Sequence, residues 1–261
     1  MLTMLVNVTI PVFNEEVRLA ASLPKLHRFL GEHCRYPFEI VVADNASTDR
    51  TLEVARSFAA THQAVSVMHL EEKGRGRAVK HSWSASRADI LSYMDVDLAT
   101  DLAAFPPLIE ALLGGGYDIA VGSRRLKPSL TTRGLKREII SRCYMLLVKT
   151  LFRVKFSDAQ CGFKAITRSA ATALLPLVED NGWFMDTELL ILAEKLGYRI
   201  YDLPVRWVDA PDSRVRIWST VIADLKGLIR LRRNFAAGRY PAGEAKPRNL
   251  DSAAPRNSGA P

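Results

Sequence analysis

The chain has 261 residues, 48% hydrophobic and 25% charged, a globular composition that suits one large domain or two small ones. Its net charge of +8 favours an anionic partner: nucleic acid, an acidic membrane surface or a phosphorylated ligand. Cys34, Cys143 and Cys161 are isolated, with no C-x-x-C pair, which argues against a disulfide framework or a zinc site and fits a reducing compartment.

The opening residues, MLTMLVNVTI, lack a basic leader and a cleavage site, and Leu5–Val12 reads as a buried strand stopped at Pro11. After Phe13-Asn14-Glu15-Glu16 a helical stretch runs to His33, interrupted at Pro24. Phe38–Ala43 is a second buried strand and ends on Asp44 and Asn45; Ser47 or Thr48 can cap a helix over Asp49–Ala60. Val65–Leu70 is a third strand, and Lys73-Gly74-Arg75-Gly76-Arg77 opens a helix reaching Ser86. Strands and helices alternating at this spacing predict an α/β fold with a parallel sheet, whose ligands bind at the carboxyl ends of the strands. Asn14, Asp44 and Asp95 each stand at such an end and should converge on one crevice.

In the stretch DILSYMDVDLATD, an apolar strand ends on Asp95 and Asp97, with Val96 between them. Two acids at the edge of a buried strand are costly unless neutralised. A hard cation such as Mg²⁺, shared with a ligand's phosphates, would do so. A helix over Leu102–Leu113, a strand over Tyr117–Gly122 and a long helix over Arg133–Val154 follow. Ser157–Thr167 reads as loop then strand, Met185–Leu196 as a helix, Tyr198–Trp207 as the last strand and Ile217–Phe235 as the last helix. Residues 1–235 form one domain on this reading, and 236–261, rich in Gly, Pro, Ala, Asn and Arg, a disordered tail. No apolar run approaches the roughly 20 residues that span a bilayer. The helices Arg133–Val154 and Ile217–Phe235 carry apolar faces bordered by Arg142, Lys149 and Arg153 and by Lys226, Arg230 and Arg233, the pattern of helices lying in a membrane interface or of core helices with snorkelling stems.

IPVFNEE, VVADNASTDRT, MDVDLATD, VGSR and SDAQCGFK, in this order, resemble the family 2 glycosyltransferases. Trp183–Trp207 and Asp212–Arg216 resemble, within that family, the polyprenyl- and dolichyl-phosphate sugar synthases, the glucosyl branch more than the mannosyl. The resemblance implies a GT-A fold, a mainly parallel mixed sheet flanked by helices. It implies a nucleotide-sugar donor (UDP-glucose, or GDP-mannose), Mg²⁺ or Mn²⁺, and a polyprenyl phosphate acceptor; many relatives carry transmembrane helices, and with none visible here the two basic–apolar helices suggest an enzyme peripheral on the cytoplasmic face of the membrane. A glycan hydroxyl acceptor is one alternative and a non-catalytic nucleotide- or phosphate-binding module another, and a partner membrane protein or a homo-oligomer stays open. No aromatic–basic RNA-reading element accompanies the charge, so no nucleic-acid partner is expected.

By the same resemblance Pro11, Phe13 and Glu15 line the nucleotide pocket, Val42 and Asp44 hold the base, and Asp95 and Asp97 hold metal and diphosphate. Arg124 and Arg214 contact phosphates, with Arg216 or Arg206 covering for Ala210, where the mannosyl synthases carry a basic residue. Ala99 replaces an amide two residues beyond Asp97, removing one metal ligand. Asn14, Asn45, Val96, Lys73 and Gly74 complete the expected donor site, and Asp97, Asp158 and Arg214 the catalytic set.

Each element has a plainer reading. Asp44 can simply close an Asx-turn. The N–H groups and cations of Lys73–Arg77 suit a diphosphate but also a solvated loop, the latter especially for Arg75. Asp158 is a base if the acceptor is a hydroxyl, and otherwise an orienting or capping residue. The five histidines show no metal spacing and read as surface or packing residues.

Overall fold

Strand β1 (Val6–Val12) lies at the middle of the sheet, and its sequence shows why: Val6, Val8 and Ile10 are buried on one face, Asn7 and Thr9 on the other. A strand covered on both faces is characteristic of a parallel sheet under helices. The computed structural model describes residues 4–132, 135–208 and 217–240. Around β1 are α1 (Glu16–His33), β2 (Phe38–Asn45), α2 (Thr51–Ala59), β3 (Val65–Leu70), α3 (Arg75–Ala85) and β4 (Ile90–Met94). Then come α4 (Phe105–Leu113), β5 (Ile119–Ser123), β6 (Leu130–Thr132), α5 (Leu135–Phe152), β7 (Phe163–Thr167), α6 (Arg168–Leu174), α7 (Met185–Lys195), β8 (Ile200–Pro204), β9 (Arg206–Val208) and α8 (Ile217–Ala236).

The main sheet has seven strands in the order β3-β2-β1-β4-β7-β5-β8. β7 alone runs antiparallel to its neighbours, Tyr93 facing Lys164 and Val121 facing the same residue on the other side. The order reverses direction between β1 and β4, and the carboxyl ends of β1, β2 and β4 therefore open on one side, where ligands of such sheets bind. Two apolar layers fill the faces, one centred on α1, α4 and β1, the other on α5, α7, α8 and β5.

Three expectations are corrected. Pro24 does not interrupt α1: the helix runs through it, because Leu19, Leu23, Leu26 and Leu30 are all buried on one stripe and outweigh one missing backbone bond. The single strand expected over Tyr198–Trp207 breaks after Pro204. Val205 N–H still donates to Ser123 O at 3.1 Å, but Arg206–Val208 leaves the main sheet and pairs with β6, a short strand missed in the sequence. β9 also holds the segment after the acid pair: Asp101 N–H donates to Arg206 O and Val208 N–H to Ala99 O, both at 2.9 Å. Finally, α6 was not expected; Thr167 caps it, its hydroxyl accepting from Ala170 N–H. Helix α8 reaches Ala236, one residue beyond its expected end, and the Tyr240 ring lies tilted against Phe235 with centroids 4.7 Å apart.

Candidate functional site

A cavity of about 660 Å³, a size suited to a small-molecule ligand, opens at the carboxyl ends of β1, β2 and β4. Pro11, Phe13 and Glu15 from the turn after β1 line it, with Asn45 from β2, Lys73 and Gly74 ahead of α3, and Asp95, Val96 and Asp97 after β4. Arg124, Gln160 and Trp207 form the facing side; Ser141 and Tyr144 of α5 and Val221 and Asp224 of α8 close the far wall. Of the expected residues, Asn14, Val42, Asp44 and Asp158 do not line this space, and Arg214 and Arg216 lie outside the described residues.

Asn14 is instead a splice between two loops. It takes a positive φ of 54°, its N–H donates to Ser47 Oγ at 2.9 Å, and its side-chain oxygen accepts from Thr48 N–H at 2.7 Å. Val42 is fully buried in the core. Asp44 is fully buried too, one layer behind Asn45: its Oδ2 accepts from His69 Nδ1 at 2.6 Å, and its Oδ1 has no hydrogen-bond partner among the described residues. An orphaned buried carboxylate oxygen is expensive. His69 is thus a positioning residue, beyond the packing role expected of the histidines.

The basic loop before α3 behaves differently from its sequence reading. Its N–H groups are not aimed at a ligand: Gly74 N–H donates to Asn45 Oδ1 at 2.7 Å, Gly76 N–H to Gly182 O at 3.2 Å and Arg77 N–H to Asn181 O at 3.0 Å. The glycines are there for close packing, since a Cβ on Gly76 would lie 2.6 Å from Met185 Cβ. Lys73 stays at the cavity with its Nζ 4.2 Å from the Phe13 ring centre. Arg75, for which a diphosphate contact and a solvated position were both open, is neither solvated nor free for a phosphate. It is nearly buried and bridges Asp95 Oδ1 (2.8 Å) and Asp186 Oδ2 (2.7 Å), sandwiched against the Tyr93 and Trp183 rings. Tyr93 O–H and Lys164 complete this network around Asp186, whose carboxyl would be raised by burial but is held below its usual value by Lys164 and Arg75.

Asp97 stands at the rim beside Asp95. Lost hydration on its cavity side, then repulsion from Asp95, raises its carboxyl. Among the described residues no group of three or more His, Cys, Asp or Glu is placed to hold a metal. An acid pair in which Arg75 holds one oxygen of Asp95 and Asp97 is still raised by its neighbour fits a divalent cation that takes its remaining ligands from phosphate oxygens and water, as Mg²⁺ usually does. Gly162 lies directly under Asp95; a Cβ there would collide with the carboxylate.

Asp158 is fully buried in a two-point pair with Arg124, Nε to Oδ2 at 2.7 Å and Nη2 to Oδ1 at 2.9 Å, and also accepts from Gln160 N–H at 3.0 Å. Burial pushes this carboxyl up, but the Arg124 guanidinium overrides it and brings it down to about 2. With its oxygens spent on Arg124, Asp158 fixes that guanidinium at the cavity, where Arg124 also faces the Trp207 ring at 5.3 Å.

The outer side of the far wall is apolar. Ile139 and Leu146 of α5 and Ile222, Leu225 and Ile229 of α8 are exposed, with Lys226 and Arg233 beside them. Arg230, expected on this surface, turns inward instead, its Nη2 donating to the buried Glu188 at 2.7 Å. No described helix is long and apolar enough to cross a membrane.

The comparisons agree with this geometry. Residues 7–175 match the model of glycosyl transferase family 2. Glycosyltransferase AglD of Haloferax volcanii is 37% identical over 228 residues, 85% of this chain but only 35% of AglD's own length. The dolichyl-phosphate beta-glucosyltransferase of Drosophila melanogaster is 32% identical over 82% of this chain and 70% of its own, and that of Dictyostelium discoideum 29% over 89% and 75%. Among solved structures, glucosyl-3-phosphoglycerate synthase from Mycobacterium tuberculosis, in complex with Mn²⁺, UDP-Glc and phosphoglyceric acid, superposes with a TM-score of 0.67. It is 19% identical, with 88% of this chain and 80% of that one covered, a likeness of fold. The sheet order and this likeness give the expected GT-A architecture.

Proposed function

The chain belongs to glycosyl transferase family 2, and from that premise we propose that it transfers a hexose, glucose from UDP-glucose, onto a polyprenyl phosphate with inversion at the sugar carbon. The observation that carries this reading is one cavity with an acid pair, Asp95 and Asp97, at its donor side, the cation Arg124 across from it, and a far wall whose outer face is exposed apolar helix. The dolichyl-phosphate relatives support the acceptor and the sugar. The unpartnered Oδ1 of Asp44 supports a base bearing a ring N–H, uracil in this reading and guanine in the GDP-mannose alternative.

A bound Mg²⁺ or Mn²⁺ at Asp95 and Asp97 would neutralise charge on the leaving diphosphate. The residues do the rest. Lys73 and Arg124 hold phosphate groups, and Arg75 keeps the Asp95 carboxylate in place from below. The acceptor phosphate is already largely ionised at pH 7, its second pKa being about 6. It needs alignment rather than a base, so Asp158, committed to Arg124, orients and does not take a proton. The amphipathic outer faces of α5 and α8 rest on the membrane surface that carries the acceptor, on its cytoplasmic side.

The test is a panel of radiolabelled UDP- and GDP-sugars incubated with polyprenyl phosphate and Mg²⁺. Solvent-extractable label from UDP-glucose is expected. Label that goes only to water-soluble glycan, or none from any donor, overturns the reading.

A further inference from the structure

Asp224 is the residue of the cavity that neither the family motifs nor the metal and phosphate roles use. It sits on α8 facing inward, 3% exposed, and lines the cavity with Gln160, Ser141 and Tyr144. Its Oδ2 has one long contact, from Gln160 Nε2 at 3.4 Å, and its Oδ1 has no hydrogen-bond partner among the described residues. Gln160 is itself held from both sides, its N–H on Asp158 at 3.0 Å and its Oε1 near Ser141 Oγ at 3.4 Å. A carboxyl left in this condition is costly, and such groups persist where a ligand satisfies them.

The surroundings decide which ligand atom that is. Among the described residues, the charged groups acting on Asp224 are acids: Asp180 repels it most strongly and Asp186 more weakly, with Tyr144 on α5 and Gln160 as its uncharged polar neighbours. An anion such as the acceptor phosphate is therefore disfavoured here, and among the described residues no group of three acids or imidazoles is placed to hold a metal. The prenyl chain has no hydrogen-bond donor, and the base is assigned to the Asp44 end. The donors that remain in the substrates are sugar hydroxyls: those of the ribose stay with the base at the Asp44 end, which leaves those of the transferred hexose.

We propose that Asp224, with Gln160 beside it, is the residue that recognises a hydroxyl group of the donor hexose and so sets which sugar is transferred. This rests on the hexosyltransferase reading above. A hydroxyl donates to Asp224 Oδ1 and can accept from Gln160 Nε2, an arrangement that distinguishes an epimer or a deoxy sugar by leaving a buried polar atom unpaired. Sites that hydrogen-bond a substrate hydroxyl reject the analogue lacking it by up to about 10⁴-fold.

The experiment compares wild type, Asp224→Asn and Asp224→Ala in three measurements. The first is the Kd of UDP and of UDP-glucose with Mn²⁺ by calorimetry. The second is kcat/KM for UDP-glucose and its four mono-deoxy analogues. The third is melting temperature at pH 5 and pH 8. Expected are a UDP Kd unchanged within about twofold, a UDP-glucose kcat/KM at least tenfold lower in both variants, and one deoxy analogue that wild type rejects and Asp224→Ala no longer does. Burial and then Asp180 raise the Asp224 carboxyl to about 7 in the folded chain. The folded state therefore holds a proton that the unfolded state has lost, and stability falls as pH rises from about 4 to 7. Asp224→Asn removes that loss, so it should melt no lower than wild type at pH 8 and gain relative to it between pH 5 and pH 8. A purely structural Asp224 would weaken UDP and UDP-glucose alike or leave every analogue's ranking unchanged, and either result overturns the proposal. If wild type discriminates the deoxy sugars through Asp224 yet labels no polyprenyl phosphate, the acceptor assignment fails and this one stands.

Discussion

Helices α1 and α8, of 18 and 20 residues, both carry an apolar stripe at helical spacing, and they use it in opposite ways. In α1 the stripe Leu19, Leu23, Leu26 and Leu30 is buried to 1% exposure or less. In α8 the apolar residues Ile222, Leu225 and Ile229 are 54%, 41% and 54% exposed, while the inward face presents Asp224, Gly227, Leu228, Leu231 and Asn234. Gly227 allows this inversion, because the Phe184 ring occupies the space a Cβ would need. Periodicity identifies a face, but only the packing partner says whether that face meets protein. A related contrast runs through the cavity: its donor wall is made of strand ends, and its far wall of two helices that bring Ser141, Tyr144 and Asp224 to the cavity while leaving Ile139, Leu146, Ile222, Leu225 and Ile229 exposed.

The largest effect is expected at the strand wall. Asp95→Asn or Asp97→Asn removes a charge–metal contact worth several kcal/mol at the transition state. That is on the order of a thousandfold in kcat/KM, with Mn²⁺-dependent UDP binding lost and the fold retained. Gly162→Ala should match this loss by displacing Asp95 sterically. Near-normal turnover in these variants would remove the acid pair from the site.

Next in size is the pair that joins the two walls. Asp158→Asn leaves the Arg124 guanidinium buried without its counter-charge, at a cost of about 3–5 kcal/mol in chemical denaturation. Because the folded carboxyl lies near 2, below its unfolded value, the pair's contribution is complete above about pH 4 and is lost as pH falls through 2. Wild type and variant should therefore converge in stability at low pH; a constant difference down to pH 2 would contradict the pairing.

The helices separate stability from membrane binding. Leu26→Ala in α1 should cost about 2–5 kcal/mol of stability and leave vesicle flotation unchanged. Ile222→Ser with Ile229→Ser should change stability by only about 0.5 kcal/mol each yet abolish flotation with anionic vesicles. The smallest effect belongs to the cations: Lys226→Gln or Arg233→Gln should each remove about 1 kcal/mol of attraction, seen as weaker flotation that salt no longer reduces as steeply. Equal binding to neutral and anionic vesicles would exclude the electrostatic part.

Much of the donor wall was legible because its logic is local. A buried strand followed by a carboxylate marks a carboxyl end of the sheet whatever lies elsewhere, which placed Asp95 and Asp97; Pro11, Phe13 and Glu15 came only with the family resemblance, and all five line the one cavity. Asn14 and Asp44 came from the same rule and lie behind that surface, since the rule locates an end of the sheet and does not aim a side chain.

Composition, strand–helix alternation and motif order were enough to determine the α/β class and the family. Tertiary structure alone decided that Arg75, Asp95 and Asp186, brought together from far apart in sequence, form one buried ion network. It also turned Arg230 onto Glu188, set Asp158 on Arg124, and faced α8 with its polar side inward so that Asp224 reaches the cavity. The physical reason is common to all four. Propensity and periodicity are properties of a few neighbouring residues, whereas the desolvation and pairing that give a charged side chain its role depend on which distant surface folds against it.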